Sequence, residues 1–263
     1  MELQAGNRKA FAYTAAHALD ATKPTVVFVH GAGLDHSWWG LQSRYFGYHG
    51  FNVLAVDLPG HGRSEGAPLE TIGGMAEWVK NVLDGQKIKT AAIVGHSMGA
   101  LVTLEFAARY PQAAGRIALI GVAYPMKVSE AFLDAAKRND TAAYDMETIW
   151  GHAPQVPFSG NPNPGMWMYG DTLARLSRLA PGVLHTDLAA CNAYAAGLES
   201  AAKVACPALF ILGARDMMTP PRGAENLIAT IKGARVERIR PSGHSLMAEA
   251  PDQTLDALIG FLA

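Results

Sequence analysis

Cysteine is scarce in this chain of 263 residues, which contains only Cys191 and Cys206. Disulfide frameworks belong mainly to small secreted domains, and thiol metal sites need clustered Cys and His residues at ligand spacing. The sequence has neither pattern. We therefore expect two free thiols in a reducing, cytoplasmic environment.

Long hydrophobic runs and an excess of one charge are also missing. No segment approaches the roughly 18 uninterrupted apolar residues of a membrane span, and the first sixteen residues lack the apolar core of a signal peptide. The 22 Lys and Arg residues nearly balance the 23 Asp and Glu residues, for a net charge of −1. Binding to nucleic acid or to an anionic membrane is therefore not expected.

What the chain does contain is a series of short apolar runs, each followed by turn residues and then by a helical pattern. Most runs are apolar on both faces, as is typical of parallel strands covered on both sides. The alternation of strand and helix predicts an α/β fold with a mostly parallel, doubly wound sheet. The predicted strands begin at Thr25, Asn52, Thr90, Arg116, Pro207 and Arg235.

This alternation is interrupted between residues 122 and 203, where helical patterns occur without a convincing buried strand. We therefore divide the chain into a core of residues 1–121 and 204–263 and a helical insertion of residues 122–203. Ligands of open α/β sheets bind at the carboxyl ends of the strands, so an insertion leaving from such an end would cover the site as a lid. The segment SGNPNPG, residues 159–165, is where we expect the lid to be most flexible.

A serine flanked by glycines stands between one predicted strand and the helix that follows it. In Gly95-His96-Ser97-Met98-Gly99, the pattern Gly-x-Ser-x-Gly predicts a sharp turn that presents the serine hydroxyl at the carboxyl edge of the sheet. Side chains at the two glycine positions would collide with the neighbouring backbone. Ser97 is therefore the predicted nucleophile.

A serine nucleophile needs a base and an acid that orients the base. His244 lies on the loop between the last predicted strand and the last helix, at the same sheet edge as Ser97. Asp216 follows another strongly apolar strand, and it stands between the serine and the histidine in chain order. The other strand end that could supply this acid, ALIGVAYP at residues 118–125, contains no carboxylate. We predict that Ser97, His244 and Asp216 act together.

An oxyanion that develops on the substrate needs two hydrogen-bond donors. The backbone N–H of Met98, directly after the nucleophile, is the first. The loop after the first predicted strand, HGAGLD, supplies the second, which we place on Ala32 with Gly33 as the alternative. Glycines in this loop would keep it slim enough for the substrate carbonyl to approach.

The chain resembles the α/β-hydrolase superfamily almost from end to end outside the predicted lid. The resemblance rests on His30–Gly33, the segment 57–64 (DLPGHGRS), the Gly95–Gly99 turn, Asp216 and the pair Gly243-His244. It implies a serine hydrolase, similar to small esterases and enol-lactonases, that needs no metal and no organic cofactor. Members with an aspartate nucleophile, such as haloalkane dehalogenases and most epoxide hydrolases, are disfavoured by Ser97.

The resemblance leaves the substrate open. Hydrolysis of a small to medium carboxylic ester is the first expectation, and enol-lactone opening and C–C bond hydrolysis of a diketone are the alternatives. A ligand receptor with very slow turnover would carry the same residues. Neither the oligomeric state nor a protein partner follows from the sequence. Large side chains in and near the insertion could line a substrate pocket or simply pack the lid on the core. Residues in or just after the first glycine loop could also line the pocket. The pocket candidates are Gly33, His36, Trp38, Tyr124, Trp150 and Trp167.

Overall fold

The computed structural model describes residues 1–6, 8–156 and 166–263. These residues form one eight-stranded sheet. In chain order, strands β1 to β8 are Glu2–Ala5, Arg8–Tyr13, Thr25–Val29, Asn52–Asp57, Ala91–His96, Ala114–Ile120, Ala208–Gly213 and Arg235–Ile239. Their order across the sheet is β1-β2-β4-β3-β5-β6-β7-β8. Strands β1 and β2 are antiparallel to their neighbours, and the six strands β3 to β8 run parallel to one another. The predicted fold class is confirmed.

Helices cover both faces of this sheet. Every residue of β3 is buried, and its alternate side chains enter two separate cores, with Val27 in one and Phe28 in the other. This is why the parallel strands read as continuous apolar runs instead of alternating ones. The core helices are α1 (Gly40–Tyr48), α2 (Ile72–Gly85), α3 (Met98–Arg109), α9 (Glu225–Thr230), α10 (Leu246–Glu249) and α11 (Pro251–Leu262), with 3₁₀ turns at His36–Trp39 and Pro221–Ala224.

Between β6 and β7 the regular elements of the described residues are all helices. The last of these helices, α8, packs against α3 of the core, and Phe132 and Leu188 from the other helices join the core on that side. The SGNPNPG segment lies outside the described residues. The helices are α4 (Glu130–Lys137), α5 (Thr141–Trp150), α6 (Met168–Leu176), α7 (Val183–Ala193) and α8 (Gly197–Lys203).

Two further features bear on the sequence expectations. Both cysteines are free thiols, Cys191 buried and Cys206 partly buried. Among the residues that the structure describes, none of the helices combines the length and the apolar character needed to cross a bilayer.

Candidate active site

Ser97 lies at a strained turn between β5 and α3. Its φ of 53° and ψ of −116° are unusual for a residue with a side chain, and such a conformation costs on the order of 1–3 kcal/mol. The turn is held by the Ser97 N–H, which donates to Ile120 O at 2.9 Å. The surrounding fold thus fixes a serine that is only partly buried at the carboxyl end of the sheet.

The two flanking glycines are needed because backbone lies directly against them. A Cβ on Gly95 would lie 2.0 Å from the carbonyl oxygen of Gly99, and a Cβ on Gly99 would lie 2.3 Å from that of Val29. Both separations are far below van der Waals contact, and the obstructing atoms are main-chain atoms that cannot rotate away. This agrees with the collision predicted from the sequence.

His244 and Asp216 meet at the same edge. The Nδ1 atom of His244 is 2.7 Å from Oδ2 of Asp216, and the His244 ring lies 4.6 Å from that of His96, the residue before Ser97. Among the described residues, the buried Nε2 atom of His244 has no hydrogen-bond partner. With its Nδ1 proton donated to the carboxylate, this histidine keeps a free nitrogen able to accept a proton.

The carboxylate of Asp216 is anchored from its own loop. Its Oδ1 accepts the N–H groups of Met218 and Thr219 at 2.9 and 2.7 Å, and the Thr219 hydroxyl donates to Oδ2 at 2.7 Å. Burial raises the pKa of Asp216, but the charge of His244 and these hydrogen bonds outweigh it and hold the pKa below its usual value. Burial lowers the pKa of His244, and Asp216 more than compensates, so that pKa is raised. The pair therefore favours an ionised acid beside an imidazole that readily becomes positive.

A second buried carboxylate fixes the backbone around His244. Glu249 accepts the N–H groups of Gly243 and Ser245 at 3.0 and 3.1 Å, and that of Ala153 at 3.0 Å. The residues on both sides of His244 are thereby tied to one side chain. His96 adds a contact between its Nε2 atom and the carbonyl oxygen of His244 at 3.0 Å.

The loop after β3 approaches Ser97 closely. A Cβ on Gly31 would lie 3.3 Å from that of Ser97, and Ala32 lines the same cavity as the serine. Within the described part of the chain, neither the Ala32 N–H nor the Met98 N–H has an acceptor. The alternative donor, the Gly33 N–H, is occupied, because it donates to Oδ2 of Asp187 at 2.8 Å.

Ser97 opens into a cavity of about 290 Å³ between the sheet edge and the helices that follow β6. This volume suits a small ligand. Ala32 and Thr219 lie in its wall, and so does Glu147 of α5. Most of the lining is apolar: Met126, Val128, Phe132, Trp150, Leu188, Met217 and Met218.

Of the six pocket residues predicted from the sequence, the structure places only Trp150 in this cavity. His36 turns instead to Asp57, whose Oδ1 is 2.8 Å from its Nδ1. Trp38 is buried in the core that contains Phe28, and its ring lies 5.9 Å from that of His96.

The remaining three predicted pocket residues are drawn elsewhere by their partners. Gly33 faces leucines of the helices after β6 and is tied to Asp187. The Tyr124 hydroxyl donates to the carbonyl oxygen of Ala195. Trp167, one residue after the start of the described range 166–263, is 74% exposed.

Residues 26–257 match the model of the Alpha/beta hydrolase family. The match spans most of the chain and includes every residue of the site described above. The chain belongs to the alpha/beta hydrolase family.

Relatives of this alpha/beta hydrolase act on different substrates. It is 22% identical over 243 residues to the (E)-2-((N-methylformamido)methylene)succinate hydrolase of Acinetobacter baylyi, covering 90% of this chain and 89% of that protein. The enol-lactonase of Burkholderia xenovorans LB400 has the same fold, with a TM-score of 0.85, 23% identity and 99% coverage of both chains. An esterase of Exiguobacterium antarcticum matches with a TM-score of 0.85, 17% identity and coverage of 99% and 98%. These structural matches establish the fold.

Four polar residues at or near the site were not predicted from the sequence of this alpha/beta hydrolase: Glu147, Asp187, Thr219 and Glu249. Asp216 itself gave an indirect signal for Thr219, because a loop aspartate often accepts hydrogen bonds from the backbone that follows it. The three acids lie on helices, where a carboxylate is normally read as part of a solvated face. Their burial depends on contacts far away in the chain.

Asp187 of α7 connects two loops: it pairs with His61 in the loop after β4, and it accepts a hydrogen bond from the loop that carries Ala32. Oδ2 of Asp187 accepts from the Gly33 N–H and lies 2.8 Å from Nε2 of His61, whose Nδ1 is 3.1 Å from Pro59 O. Both ring nitrogens thus face acceptors, as suits a protonated imidazole. Burial lowers the pKa of His61, but the charge and hydrogen bond of Asp187 outweigh it, so the pKa is raised above its usual value.

We expect Asp187→Asn to lower the free energy of unfolding by about 3–5 kcal/mol at pH 6, because it leaves His61 without its buried counter-charge. Because the pKa of His61 is raised in the folded protein, its pairing with Asp187 contributes its full stabilisation at pH values below the unfolded-state pKa, near 6.5. This stabilisation is lost as the pH rises through the folded-state pKa of His61. The difference in the free energy of unfolding between variant and wild type, measured by urea unfolding, should therefore become smaller as the pH rises.

Glu199→Gln, which removes an exposed partner of Lys203, is the control and should change the free energy of unfolding by less than about 1 kcal/mol. Equal stability of Asp187→Asn and wild type across pH 6–9 would refute a stabilising ion pair.

Proposed function

We propose that this alpha/beta hydrolase is a serine hydrolase that cleaves small to medium carboxylic esters through an acyl-enzyme. The observation that carries the proposal is the arrangement at His244, which is held at Nδ1 by Asp216 and left without a partner at its buried Nε2. This histidine stands at the same strand edge as a serine on a strained turn, next to an apolar cavity.

In this mechanism the hydroxyl of Ser97 attacks the ester carbonyl while Nε2 of His244 removes its proton. The N–H groups of Met98 and Ala32 stabilise the oxyanion, and the Gly33 N–H is excluded from this role because it is already bonded to Asp187. His244 then protonates the leaving alcohol. In the second half-reaction it activates a water molecule that hydrolyses the acyl-enzyme.

We also propose that residues 122–203 act as a lid over this chemistry. The support is their place in the wall of the cavity: Glu147, Trp150 and Leu188 come from the helices after β6, whereas Ala32 and Ser97 come from the core. A mostly apolar cover would exclude bulk water from the reaction.

The test is steady-state hydrolysis of p-nitrophenyl esters from acetate to decanoate, with an enol-lactone and a 1,5-diketone as comparison substrates. We expect ester turnover above about 1 s⁻¹, the low end of ordinary enzymes, with an optimum at short to medium chains because the cavity is only about 290 Å³. Cleavage of the lactone or the diketone without esters would overturn the ester assignment. A single slow turnover on every substrate would favour a ligand receptor.

A further inference from the structure

One charged group in the cavity takes no part in the mechanism above. Glu147 lies on α5 with 8% of its surface exposed, and it is a lining residue of the cavity that holds Ser97. Its buried Oε2 atom has no hydrogen-bond partner among the described residues. A buried carboxylate without a partner is unfavourable unless it takes up a proton or a bound ligand supplies a hydrogen bond.

The rest of the described lining does not neutralise Glu147. The one lysine in the wall, Lys127, is exposed and donates to the carbonyl oxygen of Asn192 at 3.3 Å. Burial raises the pKa of Glu147 to about 7, with His244 lowering it and Asp187 raising it by smaller amounts. Above neutral pH Glu147 thus contributes a negative charge to a mostly apolar wall.

We propose that Glu147 accepts a hydrogen bond from a hydroxyl or amino group of the substrate, and that it selects esters bearing such a donor over esters bearing a carboxylate. This inference rests on the proposed ester hydrolysis and assigns its specificity. A substrate hydroxyl would give the Glu147 carboxylate a hydrogen bond that the described residues do not supply, and an ammonium group would add charge pairing. A substrate carboxylate would instead face Glu147 across a medium of low dielectric, where like charges repel strongly.

The proposal predicts which matched esters the enzyme prefers. The probes are methyl benzoates with a 4-methyl, 4-hydroxymethyl, 4-aminomethyl or 4-carboxyl group, and phenyl acetates with the same four substituents. The first set carries the substituent on the acyl side and the second on the alcohol side, and none can cyclise. Values of kcat/KM are measured at pH 8 for wild type, Glu147→Leu, Glu147→Gln and Asp145→Asn. Asp145 is an exposed acid on the same helix and serves as the matched control.

In at least one of the two series, wild type should prefer the hydroxymethyl over the methyl ester by roughly 10- to 100-fold, the range for a hydrogen bond to a charged group. The carboxyl ester should be the poorest substrate. Glu147→Leu should abolish the hydroxymethyl preference, and Glu147→Gln should relieve the rejection of the carboxyl ester while keeping part of that preference. Asp145→Asn should match wild type.

The ratio of aminomethyl to hydroxymethyl ester separates the two donor classes. A ratio above one in wild type that falls below one in Glu147→Gln identifies a cationic amine as the preferred partner, and a ratio below one in both identifies a neutral hydroxyl. Ester selectivities that are the same in wild type, Glu147→Leu and Glu147→Gln would overturn the role of Glu147 while leaving ester hydrolysis intact. Absence of hydrolysis of every ester by wild type would overturn both proposals together.

Discussion

Replacing Ser97 with alanine is expected to lower kcat for p-nitrophenyl ester hydrolysis by on the order of 10⁶-fold, as loss of a triad nucleophile does elsewhere. In the proposed mechanism the hydroxyl forms the acyl-enzyme, so the variant must rely on direct attack by water. The oxyanion donors, which are backbone N–H groups, remain in place. KM should therefore change much less than kcat.

The matched control is Ser177→Ala, which removes an exposed hydroxyl at the end of α6. It should hydrolyse the same ester at the wild-type rate. Thermal unfolding of both variants would show that neither change disturbs the fold. Retention of more than about 1% of the wild-type kcat by Ser97→Ala, against the loss expected for a nucleophile, would contradict the mechanism.

Asp216→Asn should lower kcat by about 10⁴-fold. The amide oxygen of asparagine is expected to accept the N–H groups of Met218 and Thr219, which Oδ1 of Asp216 accepts in wild type. Its NH₂ group would then point at His244 and donate to Nδ1. This forces the proton of the imidazole onto Nε2, where it blocks the removal of a proton from Ser97.

Kinetics and unfolding together distinguish this effect from a loss of structure. Asp216→Asn should keep a cooperative unfolding transition and bind a substrate-like ester with little change in affinity, because the cavity wall does not include Asp216. Thr219→Val, which removes one hydroxyl donor to the carboxylate, should lower kcat far less. A similar loss in both variants would assign the effect to a disturbed loop instead of to the tautomer of His244.

The sequence was sufficient to predict the six parallel strands because each is buried on both faces or follows a clear turn. It did not reveal β1 and β2, whose patterns of exposed and buried residues are short and include Glu2, Arg8 and Lys9. They lie at one end of the sheet, with β1 as the edge strand, where charged residues are common. Only the pairing of β1 with β2 and of β2 with β4 identifies them.

Ser97, Asp216 and His244 could be predicted to lie at one sheet edge because each follows a strand, and parallel strands bring their carboxyl ends together. The residues that line the pocket could not be predicted, because the position of a large side chain near a motif does not show in which direction that side chain points. Trp38 enters a core and His36 turns to a carboxylate. Glu147 reads as an ordinary surface acid of a helix until the packing of α5 over the cavity buries it.

The assignment of Ser97 as the nucleophile is tested most directly by mass spectrometry of the protein after treatment with a fluorophosphonate, which reacts with activated serines. We expect one adduct per chain, on the peptide that contains Ser97, together with loss of ester hydrolysis in proportion to labelling. His244→Gln should label far more slowly, because the base that activates the serine is missing. An unlabelled Ser97 in an enzyme that still hydrolyses esters, or an adduct on another residue, would contradict the assignment of Ser97 as the nucleophile.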